Sequence, residues 1–567
     1  MLRNKRTLAA AVTMGLSAGA AFVAAAQVTL PDAVETEPLV RDAFSSGTLD
    51  RAGGALPPTL WRGADPQILE YLLAQLPARL PAPSLGEAMK RTLLSPGSAP
   101  DAAAPSLGGK KLLALARAGF VDDARTVASL STVGRGDPWT GQAEAVADLL
   151  DGDIVAACRR NANLKSGRDE IFWVKLRVLC YAQAGEGDAA DLTLNILREQ
   201  AGFSGVDEAY LTAAATGAAP KTPPAAETAL QYAIAKKMGV PLAPGLLGRA
   251  DGGVLVAIAR DGGLDMATRI DAAERAAAMG VMAIDVLAGI MNSANFDVTQ
   301  ISNAAVAAIE RRRDPLTDAL LYQSIQEMNA PEFIRDKAQR IAAALGVAGS
   351  FYRAYALSIL YADEINALEG VIISPEEAVR FATARMAIGD SVGAGQWLSA
   401  MVGLNQSVSA LPEPLAMTFI DRVNLLAVLD PQTAARVARA AGVSLLSDEP
   451  AYKRTEKGHD DTVLMARILE AAFDAAVEGK AGQAGLAALA AANGSAASGG
   501  EIETVVITQS LRAAGMPELS RRHQFEQAWA ASFTPPSLET SGAGSPQVGG
   551  GEDDGGLSPR VKPRRAQ

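Results

Sequence analysis

The sequence predicts an all-α chain, an α-solenoid of irregular helix-turn-helix pairs followed by a disordered C-terminal tail. Three observations carry that reading. About one residue in five is alanine, the strongest helix former, and apolar residues recur at spacings of three and four. Alternation with period two, the mark of a half-buried strand, is absent. The helical stretches also come in pairs joined by a tight turn. Four such pairs are LALARAGFVDDARTVASL (113–130), ADLLDGDIVAACRRN (147–161), VLCYAQAGEGDAADLTLNIL (178–197) and FATARMAIGDSVGAGQWLSAM (381–401). In the first three, Asp123, Asp153 and Asp188 stand near equivalent points. Their recurrence is of roughly 34 residues, the repeat length of a helical-pair solenoid.

Residues 1–26 read as a signal peptide. Arg3, Lys5 and Arg6 form a basic start, residues 7–23 are uncharged and apolar, and Ala24 and Ala26 supply the small-x-small pair before Gln27. The stretch is too rich in alanine and glycine to hold a membrane as a retained anchor. No cysteine stands at the cleavage point, which excludes a lipoprotein. A cleaved leader without eukaryotic secretory hallmarks implies a periplasmic protein. Cleavage leaves 49 basic and 63 acidic residues, a charge of −14, and no later apolar run is long enough for a membrane span.

Residues 27–94 form an N-terminal helical cap, with PQILEYLLAQLP (66–77) as its clearest helix, and 95–109 (SPGSAPDAAAPSLGG) reads as a linker. The helical-repeat body spans 110–442. Its segments 169–184, 226–238, 316–328, 331–346 and 415–429 all carry the helical period, with a surface loop at 216–225. A loop follows at 443–461, then a C-terminal helical segment over 462–533. There EIETVVIT (501–508) leans toward a strand but sits between helices, as the start of another. From Thr534 the chain turns to Gly, Pro and Ser with a GGGEDDGG run and a basic end, a composition without enough apolar residues to fold.

The hairpin around residue 173 resembles tetratricopeptide-type (TPR-like) repeats. Trp173, Leu176 and Ala189 stand at the tryptophan, leucine and small second-helix positions of that pattern, whereas Arg177 replaces its glycine and Thr193 its large aromatic. The resemblance extends in weaker form over 109–200 and 374–440. It implies a binding scaffold and carries no chemistry of its own. The segment LWRGADPQILEYLLAQLP (60–77) resembles parts of uncharacterised exported proteobacterial proteins, which adds no activity.

Composition narrows the function. An acidic chain argues against nucleic acid as a partner, and two histidines rule out a histidine-rich metal site. Gly15-Leu16-Ser17-Ala18-Gly19 has the G-x-S-x-G spacing but lies inside the leader with no strand before it. His459 with Glu456, Asp460 and Asp461 is an acidic–histidine cluster within one polar loop, read as solvated. His523, beside Arg521 and Arg522, and the basic corner Arg311–Arg313 read as surface features. No catalytic residue, cofactor or metal ligand is assigned. The possible binding surface is the aromatic cluster Phe351, Tyr352, Tyr355 and Tyr361, suited to an extended partner or a sugar polymer, with a helix-packing seam as the plainer alternative. The function expected is a non-catalytic scaffold or adaptor holding envelope proteins or cell-wall polymer. The alternative is a peptidoglycan-related hydrolase or a regulator of one.

The two cysteines, Cys158 and Cys180, are expected to form a disulfide in an oxidising compartment. Two helices turning near Lys165 would hold them about 12 Å out of register. A first helix ending by Asn161, with NANLKSG running back as a loop and Ser166 capping the next helix, removes the offset. Cleavage after Ala26 is the first testable outcome: N-terminal sequencing of the exported protein should read Gln-Val-Thr-Leu from Gln27, and a chain starting at Met1 would refute the leader.

Overall fold

A computed structural model describes residues 41–533, apart from 200–202, 204, 312–313, 404–406, 445–460 and 496–500. The leader with Ala24, Ala26 and Gln27, the acidic–histidine cluster around His459, Arg312 and Arg313, and the tail from residue 534 lie outside the described residues. Among the described residues every regular element is helical: 27 α-helices and three 3₁₀ turns, with no strand. None of these helices is long and apolar enough to cross a membrane.

The first eight helices show how the sequence makes the pairs. They are α1 (Pro66–Ala74), α2 (Pro83–Leu94), α3 (Pro105–Ala118), α4 (Val121–Leu130), α5 (Pro138–Leu150), α6 (Ile154–Asn163), α7 (Ile171–Ala184) and α8 (Gly187–Arg198). The turns between α3 and α4, α5 and α6, and α7 and α8 pass through Gly119, Gly152 and Gly185, all at positive φ, where a side chain would be strained. Each second helix then opens on the recurring aspartate. Asp153 caps α6 by accepting from Ala156 N, while Asp123 and Asp188 sit in the first turns of α4 and α8, facing the positive helix end. The later pair Pro375–Ala387 and Ser391–Val402 repeats the device with Gly389 and the cap Asp390. A second start signal is Asp-Pro. Asp65, Asp137, Asp314 and Asp430 each accept first-turn N–H groups, and the proline that follows takes the first helical position.

The disulfide between Cys158 and Cys180 is present, with Cα atoms 5.5 Å apart. Helix α6 stops at Asn163 and α7 starts at Ile171, so seven connecting residues run back and bring the two cysteines level. Asn161 Nδ2 donates to Trp173 O at 2.9 Å and joins the same two helices. The expected cap is corrected. Glu170, not Ser166, precedes α7, and it makes no side-chain cap bond.

Two expected boundaries also change. Residues 105–109 are the first turn of α3, and the stretch before them is tied down, with Gly97 N donating to Phe44 O and Ser98 N to Pro58 O. It does not separate two bodies, because the described residues on both sides of it belong to one unit. Nor is 27–94 a cap over its described part. Helix α2 is interior, with nine of its twelve residues buried, and it packs against the helices Ala481–Ser495 and Pro517–Ala531. The Ala481–Ser495 helix is almost wholly buried and built from Ala, Gly and Leu. Its small side chains let neighbouring backbones close in, and Gly482 N donates to Leu60 O at 2.9 Å.

Among the closest approaches is Gly86, on α2, which lies against the Met279 carbonyl at the end of the Met266–Ala278 helix. A Cβ at Gly86 would overlap that oxygen. Gly86→Ala should therefore destabilise by about 3 kcal/mol or more, in the range of severe overpacking. Gly289 lies within the helix Ile284–Asn292 with nothing near its missing Cβ, so Gly289→Ala should stabilise by about 0.5–1 kcal/mol. Urea unfolding of both variants checks the contrast. Reduction of the disulfide, which spans a sequence separation of 22, should cost about 3 kcal/mol in the same assay. Two free thiols per chain in unreduced, denatured protein would remove its basis.

Candidate functional site

A groove of about 900 Å³ lies between α3, α5, α6 and the loops that precede α3 and α5. Most of its lining falls within residues 99–173. Trp173 closes its floor beside Gly141, which leaves room for the indole. Asp137 lines it while capping α5, accepting from Trp139 N and Thr140 N. Arg160 forms ion pairs with Glu144 and with Asp148, the latter at 2.6 Å. Burial pushes Glu144 up from its usual range, and Arg160 pulls it partly back. Lys165 and Ser129 line the groove as exposed residues. The groove thus offers hydrogen-bonding groups of both signs along an open surface, a lining suited to an extended polar chain.

The four aromatic residues divide. Tyr355 and Tyr361 are fully buried, and their hydroxyls lack a hydrogen-bond partner among the described residues. They stand in the core as packing residues. Tyr361 lies near a buried trio in which Arg353 Nε donates to Asp318 Oδ2 at 2.8 Å and sits 3.7 Å from Glu274 Oε2. Burial, and then the neighbouring Asp318, push Glu274 well above the usual carboxyl range. One guanidinium thus serves two carboxyl groups, which is why one of them holds its proton.

Phe351 and Tyr352 instead line a second cavity, of about 210 Å³, with His523 and Glu526. His523 is not the surface residue expected from its arginine neighbours: the helix Pro517–Ala531 turns it inward, where it is 1% exposed. Both Glu526 oxygens accept from Ser84 N, at 3.1 and 3.0 Å, and Oε2 also takes the Ser84 hydroxyl at 2.6 Å. The Ser84 hydroxyl proton is therefore spent, and its oxygen accepts from His523 Nδ1 at 3.2 Å. In a nucleophile relay the carboxylate orients the imidazole. Here it holds the serine and the first turn of α2, and Ser84 is sealed from solvent. The trio is a helix cap with a histidine attached, not a hydrolytic centre.

The exposed Arg311 ends the helix Ala304–Glu310. Sequence reasoning missed Arg79, Ser84 and Glu526. The only signal for the last was its spacing of three from His523 on a helical face.

No family model matches the chain, and no curated protein and no solved structure is significantly similar to it.

Burial lowers the His523 pKa from an ordinary value of 6.5 to about 4. Between those values the unfolded chain binds a proton that the folded chain refuses. Its contribution to stability is therefore whole above pH 6.5 and is lost as pH falls toward 4, a change of about 3 kcal/mol. Urea titrations at pH 4.5 and 7.5 should show a smaller acid loss for His523→Gln than for the parent. Equal losses would mean that the imidazole is not held neutral.

Proposed function

We propose that this chain is an exported, periplasmic α-solenoid of irregular TPR-like helix pairs that serves as a non-catalytic scaffold or adaptor in the cell envelope, holding envelope proteins or a cell-wall polymer. The observation that carries the reading is the 900 Å³ groove, which opens on the paired helices around Trp173 and presents Arg135, Arg160 and Lys165 beside Asp137 and Glu144. An open groove with ion-paired walls suits a polar chain laid along it. The Cys158–Cys180 bridge supports an oxidising compartment, and it fastens the same two helices, α6 and α7, that form one wall of the groove.

Retrieval tests the reading. The chain from Gln27, immobilised and exposed to a solubilised envelope fraction, should retain discrete proteins or wall fragments. Ser129→Trp with Lys165→Glu changes two exposed groove residues and should lose that retention while helical circular dichroism stays unchanged. Equal retention by the variant would take the groove out of the reading. Release of soluble products from wall fragments would replace the scaffold with the hydrolase alternative.

A further inference from the structure

The 210 Å³ cavity is separate from the groove and has a different chemistry. Arg79, just ahead of α2, lines it with its guanidinium 5.6 Å from the centre of the Tyr352 ring. Arginine this close to an aromatic face is oriented by the ring and leaves its N–H edge for an acceptor. Among the described residues no carboxylate or carbonyl accepts from that edge, and Arg79 Nε is a buried donor without a partner. The other cations nearby are charge-paired: Arg522 lies 3.3 Å from Glu526, and Arg275 donates to Asp271 at 2.9 Å, whereas Arg79 has no ion pair among the described residues. An arginine without an ion pair among the described residues, lining a cavity, offers that cavity a charge-assisted donor for an anion.

His523 supplies the second constraint. Because its Nδ1 carries the proton given to Ser84 Oγ, its Nε2 is left as a hydrogen-bond acceptor. The cavity therefore combines a donor for an anion with an acceptor for an N–H or O–H group. Between them lies an apolar wall of Phe351, Tyr352 and Ile507. Its volume equals about seven waters at roughly 30 Å³ each, room for one terminal residue and the amide before it but not for an extended chain.

The geometry points to this cavity as a binding site for the C-terminal residue of a peptide, its carboxylate on Arg79, its amide N–H on His523 Nε2 and a small side chain against Tyr352 and Ile507. Terminal carboxylates are a recurrent handle in peptide capture, and bidentate arginine is the group best matched to them. The site is independent of the groove, so failure at one leaves the other standing.

Titration calorimetry with the chain from Gln27 provides the test. N-acetyl-alanyl-alanine is the probe, and its C-terminal amide and sodium acetate are the comparisons. The acid should bind at least about tenfold more tightly than either, as expected when a charge-assisted pair is removed. Arg79→Gln should remove that preference while Ser129→Trp with Lys165→Glu keeps it. Equal binding of acid and amide, or no binding of either to the parent chain, would overturn the assignment without need of any variant. Acetate binding as tightly as the dipeptide would overturn it in favour of a bare anion site.

Discussion

The fold depends on how closely helix α2 is gripped. Its first turn is held by Glu526, its glycine lies against the Met279 carbonyl, and Thr92 faces Gly485 across a gap with no room for a side chain. These contacts come from residues hundreds of positions apart in sequence, so α2 joins the start of the described chain to its end and to the Met266–Ala278 helix. Burying a helix N-terminus is costly unless its free N–H groups find acceptors, and no side chain of the α2 cap residue, Ala82, can provide one. Glu526 provides it from another helix. That is why a carboxylate is buried there, why burial can push it upward while Ser84 and Arg522 pull it back, and why His523 is drawn in beside it.

How far the sequence could be read follows from which interactions are local. Helix positions come from alanine content and apolar spacing, so the segments 169–184 and 415–429 lie within a few residues of the observed helices Ile171–Ala184 and Glu413–Leu429. The pairing at Cys158 and Cys180 is nearly local too, since it needs only the length of one loop. The role of α2 was not legible. PSLGEAMKRTLL carries two lysine or arginine residues and a glutamate, yet nine of its twelve residues are buried. The decisive signal was the glycine at 86, and a glycine within a helix has the same appearance in sequence whether it packs tightly or merely weakens the turn. The linker reading failed for a related reason. Pro, Ser and Gly mark the end of a helix, but not whether the chain beyond it is free or hydrogen-bonded to a neighbour.

Buried charge is where local reading fails most completely. Lys111 is sealed on α3, donating to the Ala43 carbonyl near the Phe44 ring, and its pKa falls to about 7 through burial. Nothing in KKLLALARA separates it from Lys110, which pairs with Glu70 at the surface. Glu274, Asp318 and Arg353 are likewise scattered over three helices, and only packing brings them together. The aromatic cluster was visible as a cluster, but its division was not. Tyr355 and Tyr361 turn into the core, and Tyr352 reaches a cavity, because residues three and nine positions on from Tyr352 fall on different faces of the local packing.

Composition ties these features together. A chain in which small residues dominate lets helices approach until their backbones nearly touch, as at Gly86 and along Ala481–Ser495. Close backbones leave little volume for large side chains. Phe351, Tyr352, Trp529 and Phe533 form one aromatic group beside the smaller cavity, with ring centres of neighbouring pairs 5.4 to 6.4 Å apart. Trp173 lines the groove. Wherever helices diverge, buried polar ends are also exposed to the gap: the α5 cap Asp137 at the groove, and Arg79 and His523 at the smaller cavity. Concave, aromatic-floored and polar-rimmed places thus arise as the counterpart of tight packing elsewhere. In an alanine-rich helical chain, the sites to examine for ligands are the gaps that the small residues fail to close.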